Sequence, residues 1–410
     1  MRYNLINQFK RTLTASAMVA VASTAMAGSY TDDVIRIGIM NDQSGPYADN
    51  CGPGSVVAAK LAVEDAGGEI NGKKIEIVVA DDQNKPDIGL STAMRWIERD
   101  GVDTIVSCST SSIAAAVHEM MAEKQKPYML AGTASAFFTN EKCTPMTTQW
   151  LQDSYAMPKA VVNSLMDIGL DTWFFITVDY TFGKAWQDDG TNFIEARGGK
   201  VVGSVLHPLK TSDFSSQLLQ AQASGAKVIA IANSGADFAN TMKQAQEFGL
   251  SGGDQKLVPL GLFINAVNGI GLDNLADVTL TTPFYWDLDD ETRAFTERYK
   301  ANFDGRYPNE PQSATYSAVN HYLKAVAAAD TDEGPAVTAK MQEIPVNDFQ
   351  MKDVSIRSDG QVMRPLYLAR IKSKDESKGE YDFYEIVSTI DPMQAWRAVE
   401  DSSCPLLKSN

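Results

Sequence analysis

The stretch "VDTIVSCSTSSIAAAV", from Val102 to Val117, contains the pattern that decides the fold. A short run with the β-branched residues Thr104, Ile105 and Val106 ends in a cluster of small hydroxyl side chains and one cysteine, and an alanine-rich run follows. This order predicts a buried strand that leads directly into a helix. Between them, the cluster is open to four interpretations: a helix cap, a nucleophile, a metal site or a ligand cradle.

The same order of strand, polar loop and helix recurs along the chain. One series begins at "VIRIGIM" and a second begins at "TWFFITV". The strand runs are dense in Val and Ile with little alternation, as expected when helices cover both faces of a parallel sheet. Most helical runs end in Gly, which is typical of helix C-termini. The sequence therefore predicts an α/β protein with two doubly wound, Rossmann-like lobes and a ligand cleft between them.

The first residues predict export. Arg2, Lys10 and Arg11 precede an apolar run that closes with Ala25-Met26-Ala27, the pattern of a cleaved secretory signal, so residues 1–27 are expected to be a signal peptide. Gly28 rather than Cys follows the expected cut, which disfavours a lipid anchor. We expect no membrane anchor and a periplasmic location in a Gram-negative bacterium.

The charge of the chain excludes some partners. Net charge is −16 for 410 residues and becomes −19 when the three basic residues of the leader are removed. This balance disfavours nucleic acid and anionic membrane surfaces as partners. It does not identify a ligand, because a local pocket can be neutral within an acidic protein.

Polar residues follow nearly every predicted strand. The ends read "NDQSGPYADNCGPG", "DDQNKPD", "SCSTSS", "AGTASAFFT", "VDYTFG" and "NSGAD". Each loop taken alone favours a helix cap, but ligands of open parallel sheets bind beyond the carboxyl ends of the strands, where these loops converge. In "SCSTSS" we expect the hydroxyl groups to cap the helix while the helix N–H groups face an anion.

Motifs for catalysis or cofactors are weak. The chain has no G-x-S-x-G elbow, no P-loop, no H-E-x-x-H and no full dinucleotide fingerprint, so neither a catalytic residue, a metal nor a cofactor is expected. None of the three histidines, His118, His207 and His321, lies next to a strand-end nucleophile. A Ser-His-Asp triad assembled in space stays formally possible.

In combination these segments resemble a known family. "IRIGIMNDQSGPYAD", "AAKLAVEDAGG", "INGKKIEIVVADDQNKPD", "SCSTSS" and "AGTAS" are similar to periplasmic solute-binding proteins of the branched-chain amino acid (Leu/Ile/Val) class, which serve ABC importers. The resemblance covers almost the whole mature chain. It implies a type I periplasmic-binding-protein fold whose two lobes close around a solute.

The resemblance also implies a ligand site. By analogy the loops "SCSTSS" and "AGTAS" hold a carboxylate through hydroxyl and backbone N–H groups, and the loops "DYTFG" and "NSGAD" form the opposite wall. Carried over residue by residue, the site contains Ser109, Thr110, Ser111, Gly132, Thr133, Tyr180, Phe182, Asn233, Ser234 and Asp237.

One position departs from the family. Amino-acid binders of this class have a Glu that pairs with the ligand ammonium, whereas "LVPLGLFINAV" has no acid between Leu257 and Val267. An unpaired, desolvated ammonium costs several kcal/mol, in the range of about 3–5. Asp237 is a poor substitute. We therefore expect a small organic acid without an α-amino group, either aromatic or hydrophobic.

Aromatic residues on the same loops are candidate walls, with ordinary core packing as the alternative for each. The candidates are Tyr47, Trp150, Phe182, Phe263, Tyr285 and Trp286, and Ser44 on the first loop is a further candidate ligand residue.

The four cysteines of an exported chain favour disulfides, and three connectivities are possible. We predict Cys51–Cys108, since both lie on strand-end loops of one lobe. Cys143–Cys404 would then tie the tail back.

The predicted first lobe consists of residues 28–148 and 284–346, the second of 149–283 and 347–398, and residues 399–410 return to the first. The predicted function is capture of a small carboxylate by a monomer and its delivery to the membrane permease of an ABC transporter. Three alternatives stay open: an amino-acid binder, a ligand-sensing module and a secreted hydrolase.

Overall fold

A computed structural model describes residues 29–250 and 254–408. The predicted signal peptide, residues 1–27, lies outside this part of the chain. The first lobe is built on a six-stranded sheet in the order β2-β3-β1-β4-β5-β6, in which only β2 is antiparallel to its neighbour. Its strands are β1 (Val34–Asn41), β2 (Glu69–Ile70), β3 (Lys73–Asp81), β4 (Thr104–Ser107), β5 (Tyr128–Leu130) and β6 (Thr147–Gln149).

The second lobe contains two sheets. A parallel sheet in the order β10-β9-β7-β8 is accompanied by an antiparallel sheet in the order β11-β12-β13. Its strands β12 and β13 are antiparallel neighbours from the C-terminal part of the chain. The strands are β7 (Thr172–Val178), β8 (Lys200–His207), β9 (Val228–Ala232), β10 (Lys256–Pro259), β11 (Thr279–Thr282), β12 (Leu366–Ile371) and β13 (Tyr384–Ile390).

Helices cover both faces of the parallel sheets. They are α1 (Gly52–Asp65), α2 (Pro86–Glu98), α3 (Ser111–Glu123), α4 (Ala156–Asp167), α5 (Thr181–Ala196), α6 (Ser215–Ala223), α7 (Gly235–Glu247), α8 (Ile264–Ile270), α9 (Asp290–Asn302), α10 (Glu310–Ala329), α11 (Gly334–Glu343) and α12 (Pro392–Ala395). Short 3-10 turns lie at Ala136–Thr139, Leu272–Asn274 and Pro405–Leu407.

The strand of the opening stretch, β4, shows why its sequence does not alternate. Ile105 packs with Trp96 and Val117 on one face of the sheet, whereas Val106 packs on the other face with residues of α1 and α10 such as Val319. Both faces are therefore buried, and each position of the strand needs an apolar or internally bonded side chain. The predicted fold class, two doubly wound lobes, is confirmed.

In two places, side chains pack in the core of a different lobe from the one predicted for their segment. Val354 and Val362 pack in the core of the first lobe, although the division placed residues 347–398 in the second. Tyr285 packs with Tyr384 in the core of the second lobe, although the division placed residues 284–346 in the first. The boundaries themselves stay a prediction.

Both predicted disulfides are present. Cys51 is joined to Cys108 and Cys143 to Cys404, with Cα–Cα separations of 6.0 and 5.7 Å. The second bridge fixes the C-terminal tail to the first lobe, where Ser403 N also donates a hydrogen bond to Asn140 Oδ1.

No helix within residues 29–250 and 254–408 combines the length and the apolar character that crossing a membrane needs.

Candidate functional site

A pocket lies between the lobes, where the carboxyl ends of their parallel strands face each other. We call it the cleft pocket. It contains about 460 Å³ not occupied by protein atoms, part of which is open to solvent. Most of its lining residues come from the loops after β1, β4, β5, β7, β9 and β10 and from the helix starts that follow them, as expected for a doubly wound sheet, and Met157 comes from α4. The residues that line it are Tyr47, Asn50, Cys51, Cys108, Ser109, Thr110, Ser111, Gly132, Thr133, Ala134, Met157, Tyr180, Phe182, Trp186, Ser234 and Phe263.

Four helices begin at this pocket. The residues that precede α1, α3, α5 and α7 are Cys51, Thr110, Tyr180 and Ser234, and all four line the pocket. None of the four caps its helix with a side-chain hydrogen bond. Because the N-terminal end of a helix carries partial positive charge, this arrangement favours a negatively charged group in the pocket.

The prediction that the hydroxyl cluster caps α3 is therefore wrong for its N-cap residue, Thr110. The Ser107 hydroxyl accepts a hydrogen bond from Ser109 N at 3.2 Å, which closes the loop before the helix begins. The cluster thus shapes the strand-to-helix turn, and the first turn of α3 is left without a cap from the N-cap side chain.

The hydroxyl groups of this wall have unequal roles. Ser109 donates to the carboxylate of Asp82 and lies 3.2 Å from the carbonyl oxygen of Met40, and Thr133 donates to the carbonyl oxygen of Ser109 at 2.8 Å. The hydroxyl groups of Ser109 and Thr133 thus already have hydrogen-bond acceptors within the protein. Ser111 differs, since its hydroxyl oxygen is buried and has no hydrogen-bond partner. A buried hydroxyl without a partner is costly, so of the hydroxyl groups of Ser109, Ser111 and Thr133 that of Ser111 is the one available to a ligand.

The disulfide Cys51–Cys108 forms part of the pocket wall and ties the start of α1 to the loop before α3. Gly132 packs directly against it, since a Cβ atom at this position would overlap Cys108 Sγ. Glycine is required here by close approach rather than by backbone conformation. The bridge therefore fixes two helix N-termini relative to each other.

Aromatic side chains form the remaining walls. Phe182 and Trp186, one helical turn apart on α5, have ring centroids 4.3 Å apart, and Tyr180 stacks on Phe182 at 5.6 Å. Phe263, which precedes α8, and Tyr47 from the first lobe complete the set. No residue that lines the cleft pocket, all of them within the described chain, is Asp, Glu, Lys, Arg or His.

The two lobes touch across the pocket. The hydroxyl groups of Tyr47 and Tyr180 lie 2.9 Å apart, and those of Ser112 and Thr181 lie 3.1 Å apart. Burial raises the pKa of both Tyr47 and Tyr180, so these hydroxyls stay protonated at neutral pH. Gly235 adopts a positive φ of 63°, and a Cβ atom there would lie 2.6 Å from the carbonyl oxygen of Pro46. The lobes are thus in direct contact.

Ten of the sixteen candidate site residues lie together in this pocket, from Tyr47 and the Ser109–Ser111 loop to Phe263. The other six lie elsewhere. Ser44 is exposed and donates to Asp81, and Trp150 is buried in the core of the first lobe, where its indole N–H bonds Thr148.

Asn233, Asp237 and Tyr285 also lie outside the lining. The Asn233 amide donates to His207 Nε2 at 3.0 Å and to Thr241 Oγ1, and Tyr285 bonds the Tyr381 carbonyl in the core of the second lobe. Trp286, the further aromatic candidate, bonds the same carbonyl.

Asp237 is the one acid that the sequence offered as a partner for an ammonium group. It is buried beside Lys210, whose backbone N–H donates to its Oδ2 atom at 3.0 Å, and burial raises the pKa of this carboxyl to about 6. It does not line the cleft pocket. The prediction that Asp237 is a poor ammonium partner agrees with this position.

Six lining residues were not predicted as ligand residues: Asn50, Cys51, Cys108, Ala134, Met157 and Trp186. Two had a usable signal, because Trp186 follows Phe182 by one helical turn and Ala134 continues the loop of Gly132 and Thr133. Met157 had none, since it reaches the pocket from α4 only through the packing of the second lobe.

The histidines do not assemble a triad. His118 bonds Thr147 and the Lys142 carbonyl, His207 bonds the Pro208 carbonyl and Asn233, and His321 bonds the Met341 carbonyl. None of the three lines the cleft pocket. Ser109 therefore has a carboxylate beside it but no imidazole base.

Two lobes whose strand ends and helix starts enclose one small pocket define a two-lobed receptor for a small molecule. The family model described as "Periplasmic binding protein" matches residues 34–379. The chain belongs to this family of periplasmic binding proteins.

Individual relatives agree with this assignment. A periplasmic binding protein from Burkholderia mallei is 41% identical, with a TM-score of 0.89 and coverage of 91% of this chain and 99% of that one. A branched-chain amino acid ABC transporter periplasmic ligand-binding protein from Burkholderia xenovorans LB400 is 37% identical, with a TM-score of 0.80 and coverage of 91% and 100%.

A curated relative, Leu/Ile/Val-binding protein homolog 6 from Brucella melitensis, is 25% identical over 60% of this chain. The match spans 63% of the length of that relative.

Proposed function

We propose that this protein is the substrate-binding component of an ABC importer, acts in the periplasm, and carries a small aromatic or hydrophobic carboxylate. One observation carries the proposal: four helix N-termini converge on an aromatic-walled pocket that has no ionisable lining residue other than tyrosine. An anionic head group is stabilised there by helix N–H groups, and an apolar body fits the aromatic walls.

The absence of an acidic lining residue argues against an α-amino acid. An ammonium group in this pocket would lose its hydration and gain no carboxylate partner among the residues that line it. Dicarboxylates are disfavoured by the same reasoning, because no Lys or Arg of the lining neutralises a second negative charge.

The second candidate is a branched-chain amino acid receptor, which the names of the Burkholderia xenovorans and Brucella relatives favour. In that case the ammonium would need a partner that enters the pocket in another arrangement of the lobes. Asp237, three positions after the lining residue Ser234, is the acid that the sequence offered for this role, and it would have to exchange its bond with Lys210 N.

The deciding experiment is a calorimetric titration of the purified protein with benzoate, leucine and succinate as probes. We expect benzoate to bind and leucine and succinate to bind at least about 100-fold more weakly, which corresponds to about 2.7 kcal/mol. Tighter binding of leucine than of benzoate would favour the amino-acid receptor and reject the organic-acid proposal.

Delivery to a permease needs a second measurement. Uptake of labelled benzoate by cells that lack this chain should fall and should return when the wild-type chain is supplied. Unchanged uptake, together with tight binding in calorimetry, would favour a sensing role instead of transport.

A further inference from the structure

We infer that Trp186 selects aromatic acids whose ring carries a second hydrogen-bond acceptor, such as a hydroxyl or carbonyl group. The inference rests on the proposed function and adds the substrate class to it. In this arrangement the carboxylate lies at the α3 wall of the first lobe, and the ring substituent accepts a hydrogen bond from the Trp186 indole of the second lobe.

Two unpartnered polar atoms belong to residues that line the cleft pocket. Ser111 Oγ is on the first lobe and Trp186 Nε1 is on the second, and each is buried without a hydrogen-bond partner. Among the unpartnered buried side-chain atoms of the described residues, these two alone belong to the lining of the cleft pocket, and they stand on opposite walls, so one ligand with a polar group at each end can bond both.

The position of the Trp186 indole is fixed by its neighbours. Its side chain is fully buried, it packs on Phe182, and a Cβ atom at Gly261 would overlap the far end of its ring. The ring therefore has little freedom to turn its N–H group toward another partner. A ligand without an acceptor would displace water from this donor and leave it unpaired, which is unfavourable.

The chemistry of the indole narrows the ligand class. An indole N–H is a donor only, so the group that faces it must be an acceptor. An ammonium group cannot serve, and a second carboxylate is opposed by the lack of cationic lining residues. A neutral hydroxyl or carbonyl on an aromatic ring meets both conditions, and the ring itself would face the aromatic lining residues Tyr180, Phe182 and Phe263.

The test compares 4-hydroxybenzoate with 4-methylbenzoate, which has nearly the same shape but no acceptor at that position; 3-hydroxybenzoate tests a second ring position. Dissociation constants are measured by calorimetry for the wild type, Trp186→Phe and Trp173→Phe. Trp173 is the matched control, because it is equally buried in the same lobe but its indole N–H already donates to the Leu170 carbonyl.

We expect the wild type to bind one hydroxybenzoate at least tenfold more tightly than 4-methylbenzoate. In Trp186→Phe the difference should shrink to about twofold, with little change for the methyl compound, while Trp173→Phe keeps the wild-type ratio. The wild-type ratio by itself keeps the test valid if Trp186→Phe fails to fold.

A site-specific readout comes from the indole N–H signals in nuclear magnetic resonance. The signal assigned to Trp186 should move downfield with the hydroxybenzoate and not with 4-methylbenzoate. Equal affinities in the wild type, or an unchanged ratio in Trp186→Phe, would overturn this inference alone. If none of the aromatic acids binds, the proposed function fails as well.

Discussion

The two walls of the cleft pocket are built on different principles. The wall of the first lobe is polar, and its own bonds fix its shape. The hydroxyl groups of Ser109 and Thr133 donate hydrogen bonds to atoms of the same lobe, and the Cys51–Cys108 bridge fixes two helix starts. The wall of the second lobe is aromatic and rests on packing of Phe182 and Trp186. For the ligand proposed above, we therefore expect the first wall to be a rigid anchor for the carboxylate and the second a shape-selective wall.

The largest expected effect comes from disturbing the rigid wall. Gly132→Ala places a methyl group on Cys108 Sγ, so either the bridge or the "AGTAS" loop must move. Overpacking of this kind costs about 1–3 kcal/mol in stability, and we expect benzoate affinity to fall more than about 100-fold. Calorimetry measures the affinity and thermal unfolding measures the stability.

Gly269→Ala is the matched control for this variant. Gly269 lies in α8, and a Cβ atom there has open space around it, so affinity should stay unchanged. Wild-type affinity of Gly132→Ala would show that the first wall is not a rigid anchor.

The next effect separates ligand binding from stability at the same wall. Ser111→Ala removes a buried hydroxyl that has no partner in the protein, so the Tm of the unliganded protein should stay the same or rise. Benzoate affinity should fall about 10- to 100-fold, because hydrogen bonds to charged groups contribute about 1.5–3 kcal/mol. Ser91→Ala, on the exposed part of α2, should change neither quantity.

A moderate, pH-dependent effect is expected where the lobes meet. Glu310 begins α10 and is fully buried; its carboxyl accepts hydrogen bonds from Ile264 N, at the start of α8, and from the Thr282 hydroxyl. Burial raises its pKa from the ordinary 4.5 to about 7. The folded protein therefore retains a proton that the unfolded chain loses, and stability falls as the pH rises from about 4.5 to about 7.

Glu310→Gln removes this titration. The Tm of the variant relative to the wild type should rise between pH 5 and pH 8, as measured by calorimetric scans across that range. Glu297→Gln, at an exposed position of α9, is the control, and the difference between its Tm and that of the wild type should not change with pH. A flat difference for Glu310→Gln as well would mean that its carboxyl titrates near its ordinary range.

The smallest effect concerns the contact between the walls. Tyr180→Phe removes the hydrogen bond to Tyr47, which joins the two lobes across the pocket, and should weaken benzoate binding about two- to tenfold. Tyr316→Phe removes a bond to Asp65 within the first lobe, so it should lower Tm without changing affinity. Equal affinity loss in both variants would argue that Tyr180 acts through stability.

Much of the site could be predicted because parallel sheets place their strand ends at one edge. The loops after β4, β5 and β7 were identified from their position, and most of their predicted residues line the pocket. Asn233, Tyr285 and Trp150 were predicted as ligand residues but lie outside the pocket lining, because sequence position does not reveal which way a side chain near a strand end points. Each of them is buried in a core or bonded to a neighbouring element instead.

The sequence by itself predicted the fold class and the repeated order of strand, loop and helix, since these follow from local periodicity, and loop position favoured Cys51–Cys108 among three possible connectivities. Only the tertiary structure decided which hydroxyl is available to a ligand. Ser109, Ser111 and Thr133 look equivalent in the sequence, but the first and third are satisfied by Asp82 and by the Ser109 carbonyl. Ser111 alone of the three is left without a partner, because hydrogen-bond satisfaction depends on atoms brought together from distant parts of the chain.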